Sequence, residues 1–309
     1  MAGVPPTRLR SAGFVRVTRG IYVPPNTDTA APDTRLVALA ERLPEGYAIG
    51  GWAAARVHEA HVRRGSGDLV VFDGVLPEMD SSARVSLPIL VCAPRSKRLR
   101  PIPGAVLFRS DLGSTEVQEV LGLPVTSPLR TAFDLARLWP TTPGVVALDR
   151  LRALELVSPE ALSEIVEARP SWRGAPRARR ATGLSEDGVE SPRESMMRLL
   201  WLGARLPRPA CNPVIRDQRG GFVARVDLLD DQVGLVGEYD GAEHASATRR
   251  QRDAARQELL EDVGLCVVRA NDPDIATAAG RRSWQLRLRS AHVRARMLDR
   301  PRRWTASRP

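Results

Sequence analysis

The apolar pattern after residue 188 constrains the fold of this 309-residue chain more than any other feature. Two apolar β runs, 222–229 and 233–239, are separated only by the turn at 230–232, which predicts a hairpin. A helix precedes the hairpin, and the helix after it ends at Gly264. The predicted order, αββαβα, is typical of a compact α/β unit. The remaining elements of this unit are helix 192–202, helix 247–263, strand 265–269 and helix 280–298.

The residues before 188 predict a mixed α+β region. Residues 13–23 form two short β runs around Thr18-Arg19-Gly20, which indicates a hairpin. This hairpin carries Arg16 and Arg19 and no acid, so it is either the basic wing of a winged helix or an ordinary edge hairpin. The other predicted elements are helices 33–43, 51–61, 128–139 and 159–168 and strands 68–73, 86–93 and 105–109.

The length of the chain predicts two domains. Segment 169–188 is rich in Arg, Gly and Pro and has no acid before Glu186, which indicates a linker that could also contact a phosphate backbone. The predicted divisions are a winged-helix wing remnant at 1–25, an α+β domain at 26–170, an Arg-rich linker at 171–188, an α/β domain at 189–298 and a basic tail at 299–309.

The formal net charge of +10 favours a polyanionic partner such as DNA. The charge is uneven, because residues 281–309 hold ten arginines and one acid, Asp299, a net +9 that leaves about +1 for the other 280 residues. The alternative is that this arginine-rich end is a solvated helix with a frayed terminus.

Several classes of protein are excluded by composition. No apolar run approaches the roughly 18 residues of a membrane span, and no secretory signal follows Met1. Three widely spaced cysteines form no CxxC pair, which argues against a disulfide framework and against a zinc site. The sequence therefore predicts a protein of the reducing cytoplasm with no membrane partner.

The predicted hairpin carries acids that need compensation. Asp227 lies near the end of the first strand, and Glu238 and Asp240 lie on one face of the second by the strand period of two. Two carboxylates ~4 Å apart repel by about 4 kcal/mol at an effective dielectric of 20. Because Mg²⁺ and Mn²⁺ prefer oxygen ligands, we interpret Asp227 and Glu238 as metal ligands.

Two further residues are candidate members of this site. Glu194 either completes a capping box with Ser191 or contributes a carboxylate from the preceding helix. His244 is either a general base, proton donor or ligand, or an ordinary loop histidine. One polar face of the next helix would look toward the carboxylates, and its members are Arg249, Arg252, Asp253 and Arg256. The candidate nucleic-acid-binding residues are Arg16, Arg19, Arg249, Arg252, Arg256 and Arg287.

Residues 190–272 resemble a domain of unknown function related to very-short-patch-repair endonucleases, within the PD-(D/E)xK nuclease superfamily. The resemblance lies in Glu190-Ser-Pro-Arg-Glu194, Arg225-Val-Asp227-Leu, Gly237-Glu238-Tyr-Asp240-Gly241-x-x-His244, Asp253-x-x-Arg256-x-x-x-Leu260, Gly264 and Val267-Val-Arg269. It implies a restriction-endonuclease-like fold, with Asp227 and Glu238 as metal ligands and Glu194 as helper. The chain departs from the superfamily at Asp240, which stands where a lysine is expected.

Residues 13–185 resemble the AbiEi family of antitoxins and regulators, which carry a DNA-binding winged helix. The resemblance lies in Arg19-Gly-Ile-Tyr-Val23, Gly51-Trp-Ala-Ala-Ala-Arg56 and Leu123-Pro-Val-Thr-Ser-Pro-Leu-Arg-Thr-Ala-Phe-Asp-Leu-Ala136. Because only about 12 residues precede the hairpin, either the helices that would enter the major groove are missing or the start codon is misplaced.

Two functions are therefore hypotheses. The first is a Mg²⁺- or Mn²⁺-dependent DNA endonuclease, with the ion at Asp227 and Glu238 and with His244 or Asp240 assisting. The second is a non-catalytic DNA-binding antitoxin or transcriptional regulator, whose partner would be a nucleotidyltransferase-type toxin. An RNA-processing nuclease would use the same chemistry as the first, and the sequence does not distinguish the two.

Overall fold

The computed structural model describes residues 13–18, 20–64, 70–76, 86–96, 101–241, 247–297 and 302–307, without the side chains of 247–253. The chain is mixed α/β, as the sequence predicts. It divides into two compact units: residues 1–76, 84–135 and 160–168 form the first, and 77–83, 136–159 and 169–309 form the second. Among the described residues no helix is both long and apolar enough to cross a membrane.

The elements are numbered along the chain. Residues 15–167, which include α4 of the second unit, contain β1 (Val15–Thr18), β2 (Ile21–Val23), α1 (Pro32–Ala40), β3 (Ala48–Gly50), α2 (Gly51–Val62), β4 (Ile89–Ala93), β5 (Ala105–Arg109), β6 (Val117–Val120), β7 (Leu123–Thr126), α3 (Pro128–Leu138), α4 (Thr141–Ala153) and α5 (Pro159–Glu167). Residues 175–307 contain α6 (Ala175–Leu184), α7 (Pro192–Gly203), β8 (Ala210–Cys211), β9 (Val214–Asp217), β10 (Phe222–Arg225), β11 (Leu228–Asp230), β12 (Leu235–Tyr239), α8 (Ala247–Asp262), β13 (Cys266–Ala270), α9 (Asp272–Ala276), α10 (Ala278–Met297) and β14 (Trp304–Ser307).

The first unit is built on a five-stranded sheet with the order β5-β4-β3-β7-β6. Its central strands β3 and β4 are apolar and almost wholly buried. The predicted hairpin at 13–23 is confirmed as the antiparallel pair β1–β2. The strand predicted at 68–73 is wrong for residues 70–73, which form no strand. A buried ion pair attaches α3 to the segment just before β6, because Arg130 contacts Glu116. Arg130 also pairs with Asp134 of its own helix.

The second unit is built on a four-stranded sheet with the order β13-β12-β11-β8. Strands β11 and β12 are antiparallel, whereas β12 and β13 are parallel and are connected through α8. Successive residues alternate between two cores, since Leu228 packs with Trp201 of α7 and Trp284 of α10, and Leu229 packs with Leu260 of α8. The sheet therefore has apolar cover on both faces.

The strand predicted at 222–229 is interrupted. Its first half, β10, pairs with β9 in a separate three-stranded sheet of order β10-β9-β14, and its second half, β11, joins the four-stranded sheet. Asp227 lies at the junction, where its carbonyl oxygen accepts a hydrogen bond from the Asn212 N–H at 2.9 Å. Val226, Leu228 and Leu229 are buried on both sides of Asp227, so the apolar pattern continues across the break and does not reveal it.

The predicted linker and tail are also ordered structure. Within 171–188, α6 buries Ala175, Ala178 and Ala181, whose small side chains sit at helical spacing. Within 299–309, β14 pairs antiparallel with β9, and Trp304 is only 4% exposed. The arginines in both segments masked these buried positions in the sequence. Of the alternatives for the arginine-rich end, a frayed terminus does not describe residues 304–307, which form a strand.

We predict that Trp304→Ala destabilises the second unit by about 3–5 kcal/mol, because it removes a buried aromatic side chain from a packed core. Phe222→Ala is the matched control, since Phe222 lies in the same small sheet and is 66% exposed. Urea unfolding measures both free energies. A Trp304→Ala loss below about 1 kcal/mol would show that β14 is not part of the folded core.

Candidate active site

The register of β11 and β12 brings the two central acids together. Leu228 pairs with Gly237, and Asp227 and Glu238 are the residues just beyond that pair on the two chain segments. Asp227 is itself outside the ladder, but its Oδ2 accepts a hydrogen bond from the Tyr239 N–H, and the charge of Glu238 contributes to its raised pKa. The acids thus meet at one edge of the four-stranded sheet.

Asp227 is partly buried and lies close to two other acidic side chains. Its Oδ2 accepts a hydrogen bond from the Tyr239 N–H at 2.7 Å, and no described residue donates to its Oδ1. Burial raises the pKa of Asp227 to about 6, and the nearby charges of Glu194 and Glu238 add to that rise. The Tyr239 N–H and Arg256 act in the opposite direction. Glu194 and Glu238 are therefore both close enough to Asp227 for their charges to raise its pKa.

Glu238 is 5% exposed and faces two guanidinium groups. Its Oε1 lies 2.7 Å from Nη2 of Arg256, which reaches it from α8, and its Oε2 lies 3.7 Å from Nε of Arg269, its neighbour on β13. The Arg256 contact is off the hydrogen-bonding direction, so Oε1 is a buried acceptor without a hydrogen bond from the described residues. Arg256 forms an ion pair with this acid and also donates a hydrogen bond to the Arg225 carbonyl oxygen at 2.6 Å.

The capping box predicted for Ser191 and Glu194 is only half formed. Ser191 accepts a hydrogen bond from the Glu194 N–H, as a capping serine does, but the Glu194 side chain accepts from the Glu190 N–H and not from Ser191. Its Oε2 also accepts from Nδ2 of Asn212 at 2.7 Å. The Glu194 carboxylate is therefore held by the Glu190 N–H and by Asn212 and not by the backbone of Ser191.

Asn212 is a site residue that the sequence analysis missed. Its side chain links Glu194 to the Gly188 carbonyl oxygen, and its N–H binds the Asp227 carbonyl oxygen. Its φ of +50° is a left-handed conformation that asparagine tolerates better than most residues. An asparagine within a proline-rich loop was the available signal, but such residues are common in turns.

Asp240 and Tyr239 end β12 differently. Asp240 is exposed, and its N–H donates to the Ala270 carbonyl oxygen at 2.7 Å. The hydroxyl of Tyr239 donates to Oδ1 of Asp272 at 2.7 Å, and Arg193 lies 2.8 Å from the same oxygen. This second polar cluster, also missed in the sequence, ties α7, β12 and α9 together beside the acids.

The predicted nucleic-acid-binding arginines that the structure describes differ in their partners. Arg16 is exposed on β1 and donates to the Thr18 carbonyl oxygen, whereas Arg287 pairs with Asp274 at 2.7 Å. Arg19 and His244 lie outside the described residues, as do the side chains of Arg249 and Arg252. Arg256 lies at the acids, as predicted for its helix face, but in contact with Glu238.

The donors fit a divalent cation held by few protein ligands. Among the residues with described side chains, no three His, Cys, Asp or Glu side chains form a group that could hold a metal ion. Mg²⁺, however, is commonly bound by one or two carboxylates, with water and substrate phosphate completing its shell. The orphaned Oε1 of Glu238 and the open Oδ1 of Asp227 are suitable donors for such an ion.

Comparison with known proteins does not identify a relative. No protein-family model, no curated protein and no solved structure matches the chain. The site is therefore interpreted from its own geometry.

We predict that Asp227→Asn stabilises the metal-free protein at pH 7.5 by about 1–3 kcal/mol. The folded pKa of about 6 exceeds the usual 3.8, so the ionised form is penalised above pH 6 and the penalty disappears as the pH falls toward 4. Asparagine keeps an acceptor for the Tyr239 N–H. Urea unfolding in EDTA from pH 4.5 to 8 measures the difference.

Asp262→Asn is the control for that measurement, because it makes the same charge change at an exposed position of α8. We expect its effect to stay within about 0.5 kcal/mol at every pH. An Asp227→Asn protein that is no more stable than wild type at pH 7.5 would contradict the crowding of negative charge at this site.

Proposed function

We propose that the second unit is a Mg²⁺- or Mn²⁺-dependent endonuclease that hydrolyses phosphodiester bonds of DNA. The observation that carries this proposal is the position of Asp227 and Glu238 just beyond the last pair of the β11–β12 ladder, where the charges of Glu194 and Glu238 both raise the pKa of Asp227. Acids are gathered in this way at a cost to stability, and a function that needs a cation explains why.

The topology supports a restriction-endonuclease-like interpretation of this unit. Helix α7 precedes the antiparallel pair β11–β12, and α8 then leads to β13, which lies parallel to β12. This is the core order αββαβ that the resemblance implies, followed by α10. The extra small sheet of β9, β10 and β14 is an addition to that core.

The residues present divide the chemical work among themselves. Asp227 Oδ1 and Glu238 Oε1 would hold the cation, which lowers the pKa of an attacking water and offsets charge on the phosphoryl group. Tyr239 N–H fixes the Asp227 carboxylate, and Asn212 fixes Glu194 beside it. Each carboxylate is thereby oriented before substrate arrives, which reduces reorganisation during the reaction.

Arg256 supplies a positive charge that the sequence lacks at position 240. Its guanidinium lies against Glu238 and lowers the pKa of Asp227, so it offsets the acid pair while no cation is bound. Because Arg256 is about one-third exposed, it is also available to a phosphate oxygen once Glu238 is engaged elsewhere.

Cleavage assays test the proposal directly. We expect the wild-type protein to cut plasmid, nicked or mismatched DNA with Mg²⁺ or Mn²⁺, and Asp227→Ala or Glu238→Gln to reduce the rate at least about 100-fold. Glu258→Gln, an exposed position of α8, is the control and should cut at the wild-type rate. Equal rates for wild type and Asp227→Ala, or no cleavage of any substrate, would refute the proposal.

Metal binding gives a test that does not require cleavage. We predict that Arg256→Gln tightens Mn²⁺ binding about tenfold in calorimetry, because it removes a cation that competes for Glu238 Oε1. Arg269→Gln should have a smaller effect, since Nε of Arg269 is 3.7 Å from the other oxygen. Unchanged Mn²⁺ affinity in Arg256→Gln would show that the guanidinium does not occupy the ion's place.

A second candidate function is a non-catalytic DNA-binding antitoxin or regulator. The pairing of both Glu238 oxygens with arginines favours it, because an internal guanidinium can replace a metal ion permanently. The hairpin β1–β2 is compatible with a winged-helix wing in the first unit. Binding to the protein's own promoter at low salt without cleavage, together with capture of a nucleotidyltransferase-type toxin, would establish this function instead of the nuclease.

A further inference from the structure

We propose that α6 and the turn before it form a second nucleic-acid contact, here termed the α6 arginine surface and defined by Arg173, Arg179 and Arg180. These side chains would grip the phosphate backbone of DNA away from the acids at the end of β12. The inference rests on the proposed function for its ligand, but it assigns a binding surface that does not take part in hydrolysis.

The arginines of the α6 arginine surface have no acidic partner among the described residues. Residues 169–185 contain five arginines and no acid. Arg173, Arg179 and Arg180 are exposed, and within the described part of the chain their side chains have no ion pair or hydrogen bond. Several other arginines of this unit lie next to acids, in the pairs Arg193–Asp272, Arg208–Glu186, Arg225–Glu190, Arg287–Asp274 and Arg302–Asp231.

The backbone that carries these arginines is held rigidly. The alanine face of α6 packs against α4, and Nη1 of Arg177 donates to the carbonyl oxygens of Arg137 and Leu138 at 3.3 and 3.4 Å. Gly174 starts the helix with a φ of +83°, and a Cβ there would lie 2.2 Å from the Arg137 carbonyl oxygen. A rigid surface loses little conformational entropy when a ligand binds.

The turn before α6 is fixed in the same way. Trp172 contacts two guanidinium groups, since those of Arg137 and Arg169 are each 5.3 Å from its ring centre. Arg137 also donates to the Arg173 carbonyl oxygen at 3.2 Å. The backbone of Arg173 is thereby held in place while its side chain stays exposed.

A phosphate backbone fits this surface better than it fits a second group of exposed arginines, which lies on α10. On α10, Arg282, Arg289 and Arg294 are also exposed, but Leu286, Val293 and Met297 are exposed beside them, and these apolar side chains gain nothing from a polyanion. Around α6 no large apolar side chain is exposed among the described residues 169–184. Guanidinium groups bind phosphate oxygens in bidentate geometry, which favours arginine here.

Fluorescence anisotropy with a labelled DNA duplex in EDTA tests the proposal across a salt series. We expect Arg173→Gln/Arg179→Gln/Arg180→Gln to weaken binding at least tenfold at low salt and to reduce the salt slope by about 2–3, since each phosphate contact contributes about 0.9. Arg282→Gln/Arg289→Gln/Arg294→Gln removes the same charge and should change affinity less than threefold. Thermal unfolding confirms that both variants fold.

Three results would overturn the α6 arginine surface. Equal losses in the two triple variants would show that affinity follows net charge alone. A wild-type protein that does not bind the duplex would remove its ligand, and preferential binding of polyglutamate would indicate an acidic protein partner instead. Because EDTA prevents hydrolysis, a selective α6 effect without cleavage in Mg²⁺ would refute only the nuclease, whereas cleavage with no α6 effect would refute only this surface.

Discussion

The burial of Asp227 beside two other acids is the constraint on which the candidate site of the second unit depends. Burial is the largest cause of the raised pKa of Asp227, and the charges of Glu194 and Glu238 add to the rise. Neighbouring groups offset this negative charge: the Tyr239 N–H donates a hydrogen bond to Asp227, and the guanidinium groups of Arg256 and Arg269 lie next to Glu238. Helix α8 and strand β13 therefore serve a second purpose beyond covering the sheet, because each brings one guanidinium to the same acid.

Much of this arrangement is predictable from the sequence, because its signals are local. Strand β5 was predicted with the observed bounds, and Ser191-Pro192 marks the start of α7 through capping chemistry. The two apolar runs around the turn at 230–232 predict the pair β11–β12. A polar residue within such a run is conspicuous, so Asp227 and Glu238 were identifiable before their contacts were known.

The remaining features depend on contacts between residues distant in the sequence, which periodicity does not encode. Val226, Leu228 and Leu229 are buried on both sides of Asp227, so the break there leaves no trace in hydrophobicity. Asn212 contacts Glu194 from a loop, and the helix face that carries Arg256 was predicted to point toward the acids, but its ion pair with Glu238 was not. In α6 the arginines and Gly174 suggested a linker, whereas three alanines spaced for close helix packing determined the outcome.

The pairing of β14 with β9 also bears on how this protein can be handled. Strand β9 is the middle strand of its small sheet, and it owes that position to the four residues Trp304–Ser307. Truncation before them, as in trimming an arginine-rich end to improve crystallisation, would turn β9 into an unprotected edge whose free N–H and C=O groups invite pairing with another molecule. Affinity tags are accordingly better placed away from the carboxyl terminus, where they do not compete with the closing strand.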